Sequence, residues 1–135
     1  MAPFWNPKRY LRPTVVAAVG LGLALFVTGC GAAPDQIAER VADLGYTCWD
    51  KVPPEHSVTA WKTCQNDQRQ MIDIITYSTA DAARLSVGSS ASCAEAVGDD
   101  WIVSGDVYQD VATVTKGLSA RLLVPTNAPH DCGGN

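Results

Sequence analysis

The sequence predicts a small α+β domain: a mainly antiparallel sheet of about four strands, helices packed on one face, and two disulfides. Three observations carry this. Apolar residues recur with a helical period in separate segments, they alternate or cluster as in strands between those segments, and one pair of cysteines falls opposite each other if the first two strands form a hairpin.

The elements follow in order. In PDQIAERVADLG, residues 34–45, Ile37, Val41 and Leu44 fall on one helical face. Pro34 suits the first turn, Asp35 the positive helix end, and Gly45 the left-handed stop. Asp35, Glu39 and Asp43 outnumber Arg40, so this helix is expected against a sheet rather than on a membrane surface.

Two runs, 46–52 and 58–65, flank the loop PPEHS and read as a hairpin. Setting Cys48 opposite Cys64 places Asp50 opposite Lys62 and Trp49 opposite Thr63, and makes Trp49 and Trp61 diagonal neighbours. One register then satisfies a disulfide, a charge pair and two tryptophans. The tryptophans are expected in the core; their alternative use is an exposed binding surface, with His56 in the adjoining loop.

Asn66-Asp67 supplies a turn before the strand RQMIDIITYS. Ser78 and Asp81 have capping-box spacing and open a helix through ADAARLSV, closed by Gly88. SSASCAEAV is expected as a loop with a short helical turn, and WIVSGDVY as a strand. Val111, Val114, Leu118 and Leu122 mark a last helix, followed by a polar tail, 125–135, tied by Cys132. The expected order is therefore α-β-β-β-α-β-α.

Ahead of this domain lies a segment of different character. Lys8, Arg9 and Arg12 precede the uncharged run TVVAAVGLGLALFV. A basic region followed by an apolar stretch describes an export signal, and the stretch falls short of the roughly 20 apolar residues a transmembrane helix needs. The junction Val27-Thr28-Gly29-Cys30 resembles the bacterial lipobox: an aliphatic residue, a small residue, Gly or Ala, then Cys. The resemblance implies removal of residues 1–29, fatty acylation of Cys30, and a chain held at the outer face of the cell membrane. Residues 30–33 would be the lipidated terminus and spacer, and 34–124 the domain.

Cysteine arithmetic agrees. Of five cysteines, assigning Cys30 to lipid leaves Cys48, Cys64, Cys93 and Cys132, an even set. The hairpin register selects Cys48–Cys64, and elimination leaves Cys93–Cys132. On the loop-entropy model these bridges would contribute about 3 and about 4 kcal/mol.

The element order, Gly45 just before Cys48, and the string VGDDWIVSGD before a terminal helix give a second resemblance. They resemble small secreted or lipid-anchored actinobacterial proteins with paired cysteines and undetermined activity.

Chemistry is constrained mainly by charge and by missing motifs. Losing Lys8, Arg9 and Arg12 from ten basic residues leaves seven against 14 acidic ones, with no basic cluster, so no nucleic-acid partner is expected. His56 and His130 lack metal-ligand spacing, no CxxC or GxSxG occurs, and Asp99-Asp100 lacks the other ligands of a calcium loop. No catalytic residue, metal or cofactor is therefore assigned. The expected function is non-catalytic: an envelope module binding a protein or small ligand. The alternatives are a small hydrolase-like envelope enzyme, with His56 beside Asp50 or Glu55, and a phage-type exclusion lipoprotein.

Overall fold

A computed structural model describes residues 32–132; the leader 1–29 and Cys30, where lipid attachment is expected, lie outside the described residues. Helix α1 (Ala32–Asp43) leads into strands β1 (Thr47–Lys51), β2 (Val58–Gln65) and β3 (Met71–Tyr77). Helix α2 (Ala80–Ser86), strands β4 (Ala94–Val97) and β5 (Trp101–Gly105), helix α3 (Tyr108–Thr115) and strand β6 (Arg121–Leu123) follow. All strands join one antiparallel sheet, in the order β1-β2-β3-β5-β4-β6.

The α+β class, the antiparallel sheet and both disulfides agree with expectation, but the sheet has six strands rather than about four. Strand β4 replaces the expected loop and helical turn. Its sequence AEAV favours helix locally, yet it is paired on both sides, to β5 and β6, and tertiary pairing overrides weak propensity. Strand β6 replaces the end of the expected last helix. Gly117, at φ 79°, takes the left-handed conformation after α3, and the chain turns back to pair Leu122 with Ala96. Leu118 and Leu122 still pack on the core, which is why their spacing mimics a longer helix.

Smaller corrections have local causes. The cap of α2 is Thr79 rather than Ser78, its side chain accepting from the Ala82 N–H at 3.1 Å. Leu44 lies past the end of α1 and is exposed, while Ile37 and Val41 are fully buried. The hairpin register is the expected one: Cys48 faces Cys64, Asp50 faces Lys62, and Trp49 faces Thr63. Lys62 Nζ and Asp50 Oδ1 are 2.7 Å apart.

Helices cover both faces, not one. On the first face α1 and α3 pack over a core of Ile37, Val41, Tyr46, Cys64, Ile72, Ile74, Trp101, Val103, Val111 and Val114. On the second, α2 covers one end with Val58, Tyr77, Ala83 and Ile102. Two polar ties hold the first layer. The Arg40 guanidinium donates to the carbonyls of Val114 and Lys116, at 3.0 and 2.7 Å. Helix α3 has no basic residue in its own last turn, so α1 supplies the cation that its negative end favours. The Tyr46 hydroxyl donates to Asp110 Oδ2 in the first turn of α3, at 2.7 Å. At the β4–β5 turn, Trp101 lies so close to Gly98 that a Cβ there would sit 2.1 Å from the indole.

Two expected outcomes follow. Arg40→Met keeps the aliphatic stem but leaves two helix-end carbonyls without their charged donor. It should cost about 1–2 kcal/mol, seen as a fall of roughly 4–16 °C in thermal unfolding. Tyr46 supplies a pH dependence. Burial, then the hydrogen bond to Asp110 and its charge, raise the phenol above its ordinary value. The fold favours the neutral phenol, so its contribution is complete below the unfolded value of about 10 and drains away as pH rises beyond it. The stability advantage of the native chain over Tyr46→Phe should therefore hold at pH 7–9 and shrink above about pH 10, measured by urea unfolding across that range.

Candidate functional site

On the second face a polar row crosses the sheet. Register aligns Trp49, Thr63, Asp73, Ser104, Glu95 and Leu123, one from each strand. Thr63, Ser104 and Glu95 are buried, at 0%, 6% and 1% exposure. Polar groups in such places need partners. Asp73 Oδ1 accepts from the Thr63 hydroxyl at 2.5 Å and from Trp61 Nε1 at 3.1 Å.

Glu95 is satisfied from the segment after α2. The Gly88 N–H donates to Oε2 at 2.7 Å and the Ser90 hydroxyl donates to Oε1, while Ser90 and Ser92 share a hydroxyl contact. This folds residues 86–92 over the sheet as a strap. Cys93, next along, is bonded to Cys132 and its N–H donates to the Gly105 carbonyl.

The strap walls two clefts that share β3 as their floor. One, of about 170 Å³, is lined by Met71, Asp73, Ser104, Gly105 and Asp106 with Ser90, Ala91 and Ser92 of the strap. The other, of about 140 Å³, is lined by Val58, Trp61, Ile75 and Tyr77, with Ser86, Ser89, Pro54 and Glu55 at its sides. Met71, Asp73, Ile75 and Tyr77 are alternate residues of β3 and so share a face. The two clefts share no lining residue but adjoin along this face of β3, the first acidic and the second aromatic and aliphatic, and together they make a two-ended groove.

The expected surface residues are only partly brought together. Trp61 lines the apolar cleft, half-buried, with Lys51 Nζ 4.8 Å from its ring centre. Trp49, expected in the core, is 43% exposed, because β1 is an edge strand and α2 does not extend over it. His56 is exposed in the hairpin loop and lines neither cleft. Nor do its two candidate carboxylates turn to it: Glu55 accepts from Ser57 and Asp50 pairs with Lys62. Asp99 and Asp100 form the β4–β5 turn. No group of three or more His, Cys, Asp or Glu side chains suited to a metal occurs among the described residues.

Asp73, Ser104 and Glu95 escape sequence reading because their alignment is set by sheet order rather than by spacing. The one available signal is a lone Asp in the apolar strand MIDIITY. Comparison with known protein families, with curated proteins and with solved structures finds no match to this chain.

The strap predicts a specific weakness. Glu95→Ala would leave the Gly88 N–H and Ser90 hydroxyl unpaired over a new cavity, costing about 2–4 kcal/mol. The Gly88 amide should exchange with solvent at least tenfold faster in the variant, measured by native-state hydrogen exchange.

Proposed function

We propose that this chain is an exported lipoprotein, anchored through Cys30 to the outer face of the cell membrane, and that it works as a non-catalytic binding module. The two-ended groove on the second face of the sheet is the single feature that carries the binding half of this reading. It is concave, partly apolar, and edged by a few placed polar groups, the common make-up of a ligand site.

The anchoring half is supported by the basic and apolar leader, by VTGC, and by the cysteines. All four cysteines among the described residues are used in two bonds, which leaves Cys30 as the odd one for lipid. The geometry is also suitable. Helix α1 begins at Ala32 and packs on the first face, whereas the groove opens on the second. An anchor just before α1 would join the domain through the helix that packs on the face opposite the groove. An acidic surface suits an envelope protein or small ligand as partner and disfavours nucleic acid.

Two measurements test the halves separately. Cys30→Ser should abolish both cleavage of the leader and incorporation of labelled fatty acid, whereas normal maturation and labelling of the variant would show the anchor assignment to be wrong. A photo-crosslinking residue at Ser89, on the groove wall, should yield adducts in intact cells. The same residue at Glu39, exposed on α1 across the sheet, should yield few; equal yields would count against the groove as the binding face.

A further inference from the structure

We propose that the acidic end of the groove holds a primary ammonium group carried on an apolar stem. The inference rests on the groove being a binding site, and names what it binds.

Among the described residues, the acidic cleft offers unused acceptors and no cation. Asp73 receives both its donors at Oδ1, leaving Oδ2 open. Asp106 receives the Met71 N–H at Oδ2, leaving Oδ1 open. None of the described Lys, Arg or His residues lines the cleft.

Ser104 is the independent sign of a ligand. It is 6% exposed, it lies on the second face between Asp73 and Glu95, and it lines the cleft. Its hydroxyl takes no part in the hydrogen bonds of the described residues, and no fully enclosed side-chain polar atom among them lacks a partner. The small exposure it retains is therefore toward the cleft. A hydroxyl so deeply placed, with no partner within the fold, can find one only in what enters the cleft.

The chemistry of that occupant follows from the donors and acceptors. Three open oxygens, Asp73 Oδ2, Asp106 Oδ1 and Ser104 Oγ, match the three N–H donors of an ammonium group, which has no acceptor to leave unpaired. An anion would face two carboxylates. Calcium takes six to eight oxygen ligands, more than these side chains supply.

The stem follows from β3. Ile75 lies two residues beyond Asp73 on the same face, about 6.6 Å along the strand. Trp61 joins the two ends, since its indole N–H donates to Asp73 while its ring lines the apolar cleft. An alkyl chain leaving the ammonium would lie against Trp61 and Ile75. A free alkylamine and a lysine side chain of a partner both carry this chemistry.

The test uses ¹⁵N–¹H NMR of the full chain in an uncharged detergent, with the Trp61 indole N–H and the Asp73 and Ser104 amides as reporters. Amide-blocked lysine and butylammonium chloride are the two probes, and amide-blocked norleucine is the uncharged control. Blocked lysine should shift the three reporters saturably. Saturation by butylammonium as well would assign the site to the ammonium and its stem alone, and binding of blocked lysine only would add the peptide backbone to what is recognised. Norleucine should bind at least tenfold more weakly, and Ser104→Ala and Asp106→Asn should each weaken lysine binding roughly tenfold, the scale of one hydrogen bond to a charged group. Asp106 is exposed, so its variant keeps the test open if Ser104→Ala disturbs the sheet.

Equal binding of norleucine and lysine within the groove would overturn the ammonium assignment while leaving the groove as the binding face. Shifts confined to α1 and α3 would overturn the assignment and count against the groove as well. Saturation of the same reporters by calcium chloride at lower concentration than lysine would replace the ammonium with a metal.

Discussion

A carboxyl group that is 1% exposed must be given hydrogen-bond donors or expelled, and among the described residues Glu95 receives them from Gly88 and Ser90. That requirement decides where residues 86–92 run. With the strap drawn onto the sheet, Ser86 and Ser89 wall one cleft while Ser90 and Ser92 wall the other. Without it, both clefts would lose a wall. Burial of one acidic side chain in β4 thus shapes a groove built mostly from other elements.

The two faces of the sheet divide the work. The first is sealed by α1 and α3 around an apolar core, and its few polar ties, Arg40 to the end of α3 and Tyr46 to Asp110, fix one helix against the other. The second is covered by α2 and the strap, and its polar row keeps partial contact with solvent at Asp73, near the exposed Asp106. The larger apolar core lies on the first side, and the smaller one on the second leaves room beside it for polar groups.

The sequence discloses local arrangements and hides those made by sheet order. The hairpin register is legible because cysteines, charges and tryptophans sixteen residues apart or fewer must agree on one alignment. The α1 face is legible because Ile37 and Val41 keep a helical period. Strand β4 is hidden because AEAV has helix-favouring residues and becomes a strand only through its neighbours. Strand β6 is hidden because Leu118 and Leu122 reach the same core from a turn and a strand as they would from a helix. The groove is hidden most completely: Asp73 meets Ser104, and through it the row reaches Glu95, only because β5 inserts between β3 and β4.

The two disulfides sit at opposite margins of the sheet. Cys48–Cys64 staples the outermost strand β1 to β2, and Cys93–Cys132 ties the chain beyond β6, the other outermost strand, to the residue just before β4. Unpaired strand margins are where one protein chain recruits another into a shared sheet, and recruitment usually begins when a margin strand peels away. Here peeling from either side is restrained by a covalent bond that thermal fluctuation does not break. The bridges thus hold both margins of the sheet in place, where a second chain would otherwise find an edge to pair with.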